Sequence, residues 1–113
     1  MKLVKAYIRY IKTEDVYNAL KEKGFYSMTF VECEGTGQYS DKENEHISEK
    51  YPFANAYRMI KLEILVSEKK IKELISLIKE NGRTGYRGDG LIIVSSVDNA
   101  YKMRTDEEGI EAI

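Results

Sequence analysis

The sequence is short of the residues that build disulfides, metal centres and redox sites. Its 113 residues include one cysteine, one histidine, one proline and no tryptophan. A lone cysteine cannot form a disulfide within the chain, and it cannot supply a metal–thiolate cluster. The histidine, His46, lies among glutamates in a polar stretch that lacks the convergent ligands of a metal site. We therefore expect no internal disulfide and no metal.

The net charge is small, and long apolar runs are absent from the sequence. A third of the residues are charged, but 18 Lys and Arg nearly cancel 19 Asp and Glu, which leaves a net charge of −1. That balance argues against nonspecific nucleic-acid binding, which depends on a basic excess. No apolar run is long enough to cross a bilayer, and lysines interrupt the first residues, so we expect no signal peptide. The composition predicts one cytoplasmic domain over residues 1–113.

Glycine, by contrast, is concentrated in one place. Residues 81–90 contain four of the eight glycines of the chain. Glycine lets backbone amides approach and turn toward an anion, and Arg83 and Arg87 add positive charge to the same stretch. A plain connection between a helix and a strand needs only one glycine, and Gly82 could serve as that C-cap. The surplus predicts an anion site.

Hydrophobic periodicity predicts a strand, a helix and a strand in the first part of the chain. Alternation over 3–11 indicates a half-buried strand, with Val4, Ala6, Ile8 and Tyr10 on its inner face. Thr13 is expected to cap a helix that Gly24 ends. A second strand follows over 27–34, and its imperfect alternation places Met28, Phe30 and Cys33 among the candidate inward residues. We interpret Cys33 as a small core residue rather than a nucleophile.

The same order returns after residue 58. A strand over 59–66 alternates, with Ile60, Leu62, Ile64 and Val66 on one face. Ser67 is expected to cap a helix whose apolar stripe is Ile71, Leu74, Ile75 and Ile78. A fourth strand covers 91–95, and a tail covers 97–113. The β-α-β-β-α-β order predicts an α+β, ferredoxin-like sandwich: an antiparallel sheet with two helices on one face. We expect another subunit to cover the second sheet face.

Residues 38–57 form a polar, aperiodic insertion between the two halves. A structureless stretch of this length is uncommon inside a compact domain and is usually functional or disordered. Three tyrosines lie in it, and aromatic side chains in a loop suit docking onto a partner. The candidate partner-binding residues are Tyr39, Tyr51 and Tyr57.

Four local motifs occur in a characteristic order. Residues 24–29 read Gly-Phe-Tyr-Ser-Met-Thr, and residues 35–38 read Gly-Thr-Gly-Gln. Residues 84–90 contain Thr-Gly-x-x-Gly-Asp-Gly, and the tail contains Met-Arg-Thr at 103–105 and ends in Ala-Ile. In this combination the sequence resembles the PII signal-transduction family, the trimeric nucleotide-sensing regulators of nitrogen metabolism and transport.

The resemblance implies a homotrimer that binds ATP or ADP in clefts between subunits. It implies a long T-loop at 38–57 that engages a membrane transporter or a metabolic enzyme, which could recruit the cytoplasmic protein to the membrane. A B-loop at 82–90 would wrap the phosphates, and basic residues of the C-terminal segment, 97–113, would neutralise them. Magnesium is a candidate companion of ATP. The implied nucleotide-binding residues are Tyr7, Thr29, Gly35, Thr36, Gly37, Gln38, Glu63, Leu65, Arg83, Thr84, Gly85, Arg87, Gly88, Asp89, Gly90, Lys102 and Arg104.

The sequence departs from the family pattern at three positions. Leu91 follows the B-loop where most members carry lysine, and Lys102 replaces an arginine that could grip phosphate with two donors. Gln38 lies one residue before the position of the family glutamine that binds 2-oxoglutarate and magnesium. A shift of one residue redirects a side chain on an extended backbone, so we do not expect the standard 2-oxoglutarate response.

Two alternatives stay open on the sequence alone. The first is an enzyme on the same fold, such as a slow nucleotide hydrolase. The chain offers no adjacent nucleophile–base pair, so we predict that it is not an enzyme. The second is a trimeric scaffold with empty clefts, whose melting temperature would not respond to adenine nucleotides.

Overall fold

The computed structural model describes residues 1–35 and 58–113, which form four strands and two α-helices. The strands are β1 (Lys2–Arg9), β2 (Met28–Glu34), β3 (Arg58–Val66) and β4 (Leu91–Ser96). The α-helices are α1 (Thr13–Glu22) and α2 (Ile71–Gly82), and short 3-10 turns cover Tyr10–Lys12, Glu68–Lys70 and Gly109–Ala112.

The strands form one antiparallel sheet in the order β2-β3-β1-β4. In the register, Val4 lies opposite both Ile64 on β3 and Val94 on β4. Strands β1 and β3 occupy the centre, and β2 and β4 are the edges. This topology confirms the predicted ferredoxin-like fold.

The core lies between one face of the sheet and both helices. Even-numbered residues of the two central strands alternate into it, as their period-two pattern predicts. Val16 and Leu20 on α1 and Leu74 and Ile78 on α2 meet them there, each at most 1% exposed. Burial of such a side chain stabilises the fold by about 1.5–3 kcal/mol. The buried strand residues are Val4, Ala6, Ile8, Ile60, Leu62, Ile64 and Val66.

No helix in the described ranges is long and apolar enough to cross a membrane.

The end of β1 differs from the prediction. The strand stops at Arg9, and Tyr10 begins a 3-10 turn with 45% of its surface exposed, so its predicted place on the inner face is wrong. Thr13 is the first residue of α1 rather than its cap. Its hydroxyl donates back to the Tyr10 carbonyl at 2.7 Å, a local bond that replaces the capping bond.

Two further helix-end predictions need correction, and one is confirmed. Ser67 precedes the 3-10 turn at Glu68–Lys70, but its side chain makes no capping hydrogen bond. Gly82 is the buried last residue of α2, and extended Arg83 follows it, so Gly82 is not a left-handed C-cap. A β-carbon at Gly82 would lie 3.4 Å from the Val16 methyl, so the glycine lets α2 pack closely. Gly24, with φ of +84°, ends α1 as predicted.

Strand β2 separates the three residues that were predicted to face inward. Met28 and Phe30 pack against the core. Cys33 lies opposite Met59 in the register, on the second face, and is only half-buried, so its assignment to the core is wrong. Burial raises the pKa of the Cys33 thiol, while the nearby Lys61 ammonium opposes the shift. The neutral thiol is a poor nucleophile.

The second sheet face carries a mixture of apolar and charged side chains. Leu3, Lys5 and Tyr7 of β1 are half-buried there, and Glu63 lies within 4.0 Å of the Lys5 ammonium and 3.4 Å of that of Lys61. On the edge strand β4, Leu91 remains 61% exposed and Ile93 42% exposed. Residues 1–35 and 58–113 of the protomer therefore leave apolar surface along β4 uncovered.

Candidate functional site

The glycine-rich segment at 83–90 is organised around the Asp89 carboxylate. One carboxylate oxygen accepts the amides of Thr84 and Gly85, each at 2.9 Å. The other accepts the Thr84 hydroxyl and the Nε–H of Arg9, the latter at 2.8 Å. Four donors from three residues thus converge on one side chain, which makes Asp89 the internal anchor of the loop.

These donors also set the protonation state of Asp89. Burial alone would raise the pKa of this carboxyl group, since it penalises the charged form. The hydrogen bonds from Thr84, Arg9 and Gly85 outweigh burial and hold the pKa of Asp89 well below its ordinary value of 3.8. The carboxylate is therefore ionised at neutral pH with both oxygens engaged, so it is a poor candidate for a magnesium ligand.

The backbone amides of the loop fall into two groups. Those of Thr84 and Gly85 are committed to Asp89, and that of Tyr86 donates to the Thr84 hydroxyl at 3.2 Å. The amide of Gly88 donates no hydrogen bond within the described part of the chain, and Gly88 lies in a turn with Arg87. Consecutive amides beside a positive-φ glycine form an anion-binding concavity. The second half of the loop, rather than the first, is thus the part that can accept a ligand.

Close approach to β1 explains two of the glycines. A β-carbon at Gly90 would lie 1.7 Å from the Tyr7 carbonyl oxygen, and one at Gly88 would lie 3.3 Å from the Arg9 guanidinium. Both residues also have positive φ, +104° and +97°. The loop is therefore pressed against the end of β1, where only glycine fits at residue 90.

Arg9 is a site residue that the sequence reasoning missed. Its Nε–H binds Asp89, and its Nη2 donates to the Arg87 carbonyl at 2.7 Å. The β1–β4 register, in which Tyr7 faces Leu91, places Arg9 opposite Asp89 when it is continued by two residues. An arginine at the end of the first strand was the available signal, but it acquires meaning only once the strand pairing is known.

A cleft of about 360 Å³ lies where the end of α2 meets the loop and the facing ends of β1 and β4. Four predicted nucleotide-binding residues line it: Tyr7, Arg83, Asp89 and Gly90. Lys79 of α2 also lines the cleft and was not predicted. The fold thus brings the first strand and the glycine-rich loop together around one space.

A second group of predicted residues lies on the second sheet face instead. Thr29 is opposite Glu63 in the register, and Leu65 follows two residues later on the same face. Gly35 lies just beyond β2, where a β-carbon would come within 3.0 Å of the Met59 sulfur. These four residues do not line the cleft at the loop. The two groups adjoin at Met59, because a β-carbon at Gly90 would lie 3.2 Å from the Met59 Cε.

The predicted basic residues of the tail, Lys102 and Arg104, do not line the cleft at the loop. The Lys102 amide donates to the Glu107 carbonyl at 3.0 Å, and Tyr101 pairs with Glu108, so the tail folds back on itself. Lys102 and Arg104 are exposed, and within residues 1–35 and 58–113 their side chains make no hydrogen bond or ion pair. Their charges are available to a ligand or to another chain.

Six predicted residues lie outside the described part of the chain. Three belong to the predicted nucleotide site: Thr36, Gly37 and Gln38. Three belong to the predicted partner-binding loop: Tyr39, Tyr51 and Tyr57. Their roles remain predictions.

Strands β2 and β3, which precede and follow the 38–57 insertion in the chain, are joined by an ion pair. The Arg58 guanidinium at the start of β3 binds the Glu32 carboxylate on β2. The same guanidinium lies 3.9 Å from the centre of the Tyr10 ring, beyond the end of β1. Three chain segments therefore meet at the base of the insertion.

We expect Tyr10→Ala to lower the free energy of unfolding by about 1 kcal/mol, because it removes the cation–π contact with Arg58. Tyr10→Phe keeps the ring and should leave stability nearly unchanged. Urea denaturation of the three proteins at one concentration measures the difference. Equal losses in both variants would contradict the cation–π assignment.

The described residues have a ferredoxin-like fold. Their glycine-rich segment contacts strand β1 and directly precedes the edge strand β4. The family model described as "Nitrogen regulatory protein P-II" matches residues 1–107. The chain belongs to the P-II nitrogen regulatory protein family. The resemblance inferred from the motifs is thereby confirmed. Members are non-enzymatic signal transducers, so this chain is a regulatory signal protein, and the hydrolase alternative is set aside.

The chain is similar to other proteins over nearly its whole length, including the following three. The chain is 31% identical over 113 residues to a "Nitrogen regulatory protein P-II" of Bradyrhizobium diazoefficiens, covering all of both chains. It is 34% identical over 110 residues to "Nitrogen fixation nifHD region GlnB-like protein 1" of Methanothermobacter marburgensis, covering 97% of this chain and all of that protein. It is 33% identical over 113 residues to "Nitrogen regulatory protein GlnK2" of Haloferax mediterranei, covering all of this chain and 91% of the relative.

Proposed function

We propose that this P-II protein is a homotrimeric adenine-nucleotide sensor that binds ATP or ADP between its subunits. It would regulate a transporter or a metabolic enzyme of nitrogen metabolism through residues 38–57. One observation carries the proposal: the amides of Thr84 and Gly85 donate to Asp89, whereas the Gly88 amide has no acceptor within the described part of the chain. Gly88 is exposed, so its amide is open to a ligand, and phosphate oxygens suit a glycine-rich concavity.

Strand geometry supports a site shared by two copies. The loop precedes the first residue of β4, and the tail with Lys102 and Arg104 leaves from the last. A six-residue strand separates its ends by about 17 Å at 3.3 Å per residue. The tail also folds on itself rather than toward the loop. A ligand that needs both the loop amides and the tail cations is therefore best served by the loop of one copy and the tail of another.

Uncovered apolar surface gives a reason for the copies to associate. Leu91 and Ile93 on β4 are 61% and 42% exposed, and Tyr101 and Met103 in the tail are 71% and 101% exposed. Apolar residues of this kind are buried in stable oligomers. A trimer would cover them and would bring the parts of the site together.

The nucleotide would act by favouring one arrangement of the 38–57 segment over another. A ligand can shift such an equilibrium only by its differential affinity for the two states. ATP and ADP differ in the terminal phosphate, so a contact to that phosphate must reach the start of the segment, beside Gly35. Leu91 has no ammonium group to bind the terminal phosphate. We propose that Arg83 or Arg87 of the loop supplies this positive charge instead. Magnesium, if it accompanies ATP, would need ligands other than Asp89.

Titration calorimetry with ATP, ADP and AMP, together with analytical ultracentrifugation, tests the proposal. We expect a trimer that binds ATP and ADP and returns the ATP unhydrolysed. A monomer, or a trimer that gives no heat with any of the three and whose melting temperature they leave unchanged, would contradict it.

A mixing experiment tests whether each site is shared. Gly88→Ala damages the loop, and Arg104→Ala damages the tail, so trimers of either variant alone should bind poorly. Co-expressed in equal amounts, the two chains should recover about a quarter of the wild-type sites, because only some interfaces join an intact loop to an intact tail. No recovery would indicate that loop and tail act within one chain.

The tail cations are expected to contribute in proportion to the phosphates bound. Lys102→Ala and Arg104→Ala should each weaken ATP binding by about tenfold, the effect of one charge-assisted hydrogen bond, and weaken adenosine binding little. Lys72→Ala, an exposed lysine on α2, is the matched control and should bind ATP like the wild type. Equal losses for adenosine and ATP would contradict a phosphate role.

A further inference from the structure

The Arg9 guanidinium grips the glycine-rich loop at two points. Its Nε–H donates to Asp89 at 2.8 Å, and its Nη2 donates to the Arg87 carbonyl at 2.7 Å. About three quarters of the Arg9 and Asp89 side chains are shielded from solvent. Guanidinium is planar and rigid, so two bonds from one group fix two acceptors relative to each other.

This grip determines the orientation of a neighbouring amide. The Arg87 carbonyl and the Gly88 N–H belong to the same planar trans peptide, in which the two groups point in opposite directions. Because the carbonyl points toward Arg9, the Gly88 N–H points away from it. Gly88 itself lies against the guanidinium, since a β-carbon there would be 3.3 Å from Nη2. The loop therefore has little freedom to turn this peptide over while Arg9 holds it.

We propose that Arg9 is a positioning residue that holds the 83–90 loop in the shape that accepts a polyphosphate. The inference rests on the proposed nucleotide-binding function. Arg9 acts through the loop, because the two donors that it directs at the loop bind Asp89 and the Arg87 carbonyl. It fixes the orientation of the Gly88 N–H in the ligand-free protein. Binding then does not have to pay the entropy of ordering the loop.

Arg9→Lys is the decisive variant, because it keeps the charge but cannot hold both acceptors as guanidinium does. We expect it to weaken binding of ATP and of inorganic tripolyphosphate by the same factor, about tenfold. Adenosine binding should stay at the wild-type level. Arg9→Ala should show at least the same loss, and Lys69→Ala, an exposed lysine, serves as the control. Wild-type affinity in Arg9→Lys, or an equal loss for adenosine, would overturn the inference.

Hydrogen exchange on the ligand-free protein separates this inference from the proposed function. We expect the amides of Thr84 and Gly85 to exchange faster in Arg9→Lys than in the wild type, while core amides such as that of Leu62 keep their rates. That result would support loop positioning even if the wild type bound no nucleotide. Unchanged exchange of the loop amides would overturn it, whatever the affinity for ATP.

Discussion

Gly90→Ala is expected to lower the free energy of unfolding by about 3 kcal/mol or more and to remove nucleotide binding. The added β-carbon would lie 1.7 Å from the Tyr7 carbonyl oxygen, a backbone atom of a central strand that cannot move aside. The φ of +104° adds conformational strain. Denaturant unfolding at a fixed protein concentration measures the loss, since the stability of an oligomer depends on concentration.

Gly85→Ala is the matched control in the same loop. Its φ of +89° imposes similar strain, but a β-carbon there meets nothing within 4 Å. We expect a loss of about 1 kcal/mol, which is the strain without the collision. Equal losses in the two variants would show that close approach to β1 does not govern residue 90.

Asp89→Asn is expected to cost about 2 kcal/mol of stability at pH 7, because hydrogen bonds to a charged acceptor are stronger than those to a neutral one. The pKa of Asp89 is lower in the folded protein than its ordinary value of 3.8. The unfolded chain thus binds the proton more readily. The contribution of Asp89 is therefore complete above about pH 5 and is lost as the pH falls through 3.8 toward the lower pKa of the folded protein.

The difference in stability between the wild type and Asp89→Asn should accordingly be constant from pH 7 to about pH 5 and shrink below pH 4. Asp98→Asn, which changes an exposed carboxylate, controls for net charge and should follow the wild type. Denaturant curves across this range supply the measurement. If the difference in stability between the two proteins grew as the pH fell, the assigned direction of the pKa shift would be wrong.

Local rules predicted the elements well and their ends poorly. The alternation in β1 and β3 identified the buried face correctly, because period two is a property of any strand. Thr13 and Gly82 were both assigned capping roles that they do not have. Their neighbours decide otherwise: a 3-10 turn precedes Thr13, and Val16 packs close to Gly82. Helix ends depend on such contacts, which no local pattern records.

For the candidate site, too, the sequence predicted some features and not others. The surplus of glycine at 82–90 indicated an anion-binding loop, because glycine content is a direct record of required backbone freedom. The sequence placed Asp89 among the ligand-binding residues, whereas the structure engages its carboxylate inside the loop. Arg9, eighty residues earlier, went unnoticed because its partner is set by strand pairing.

The sequence by itself determined the order of the elements, the face of each central strand that is buried, the glycine-rich loop and the family. These follow from composition, short-range periodicity and motif spacing. Only the tertiary structure decided which amides the loop keeps for itself and which it leaves available. The physical reason is that hydrogen bonds and close contacts between distant segments depend on strand register, and register is fixed by the packing of the whole sheet.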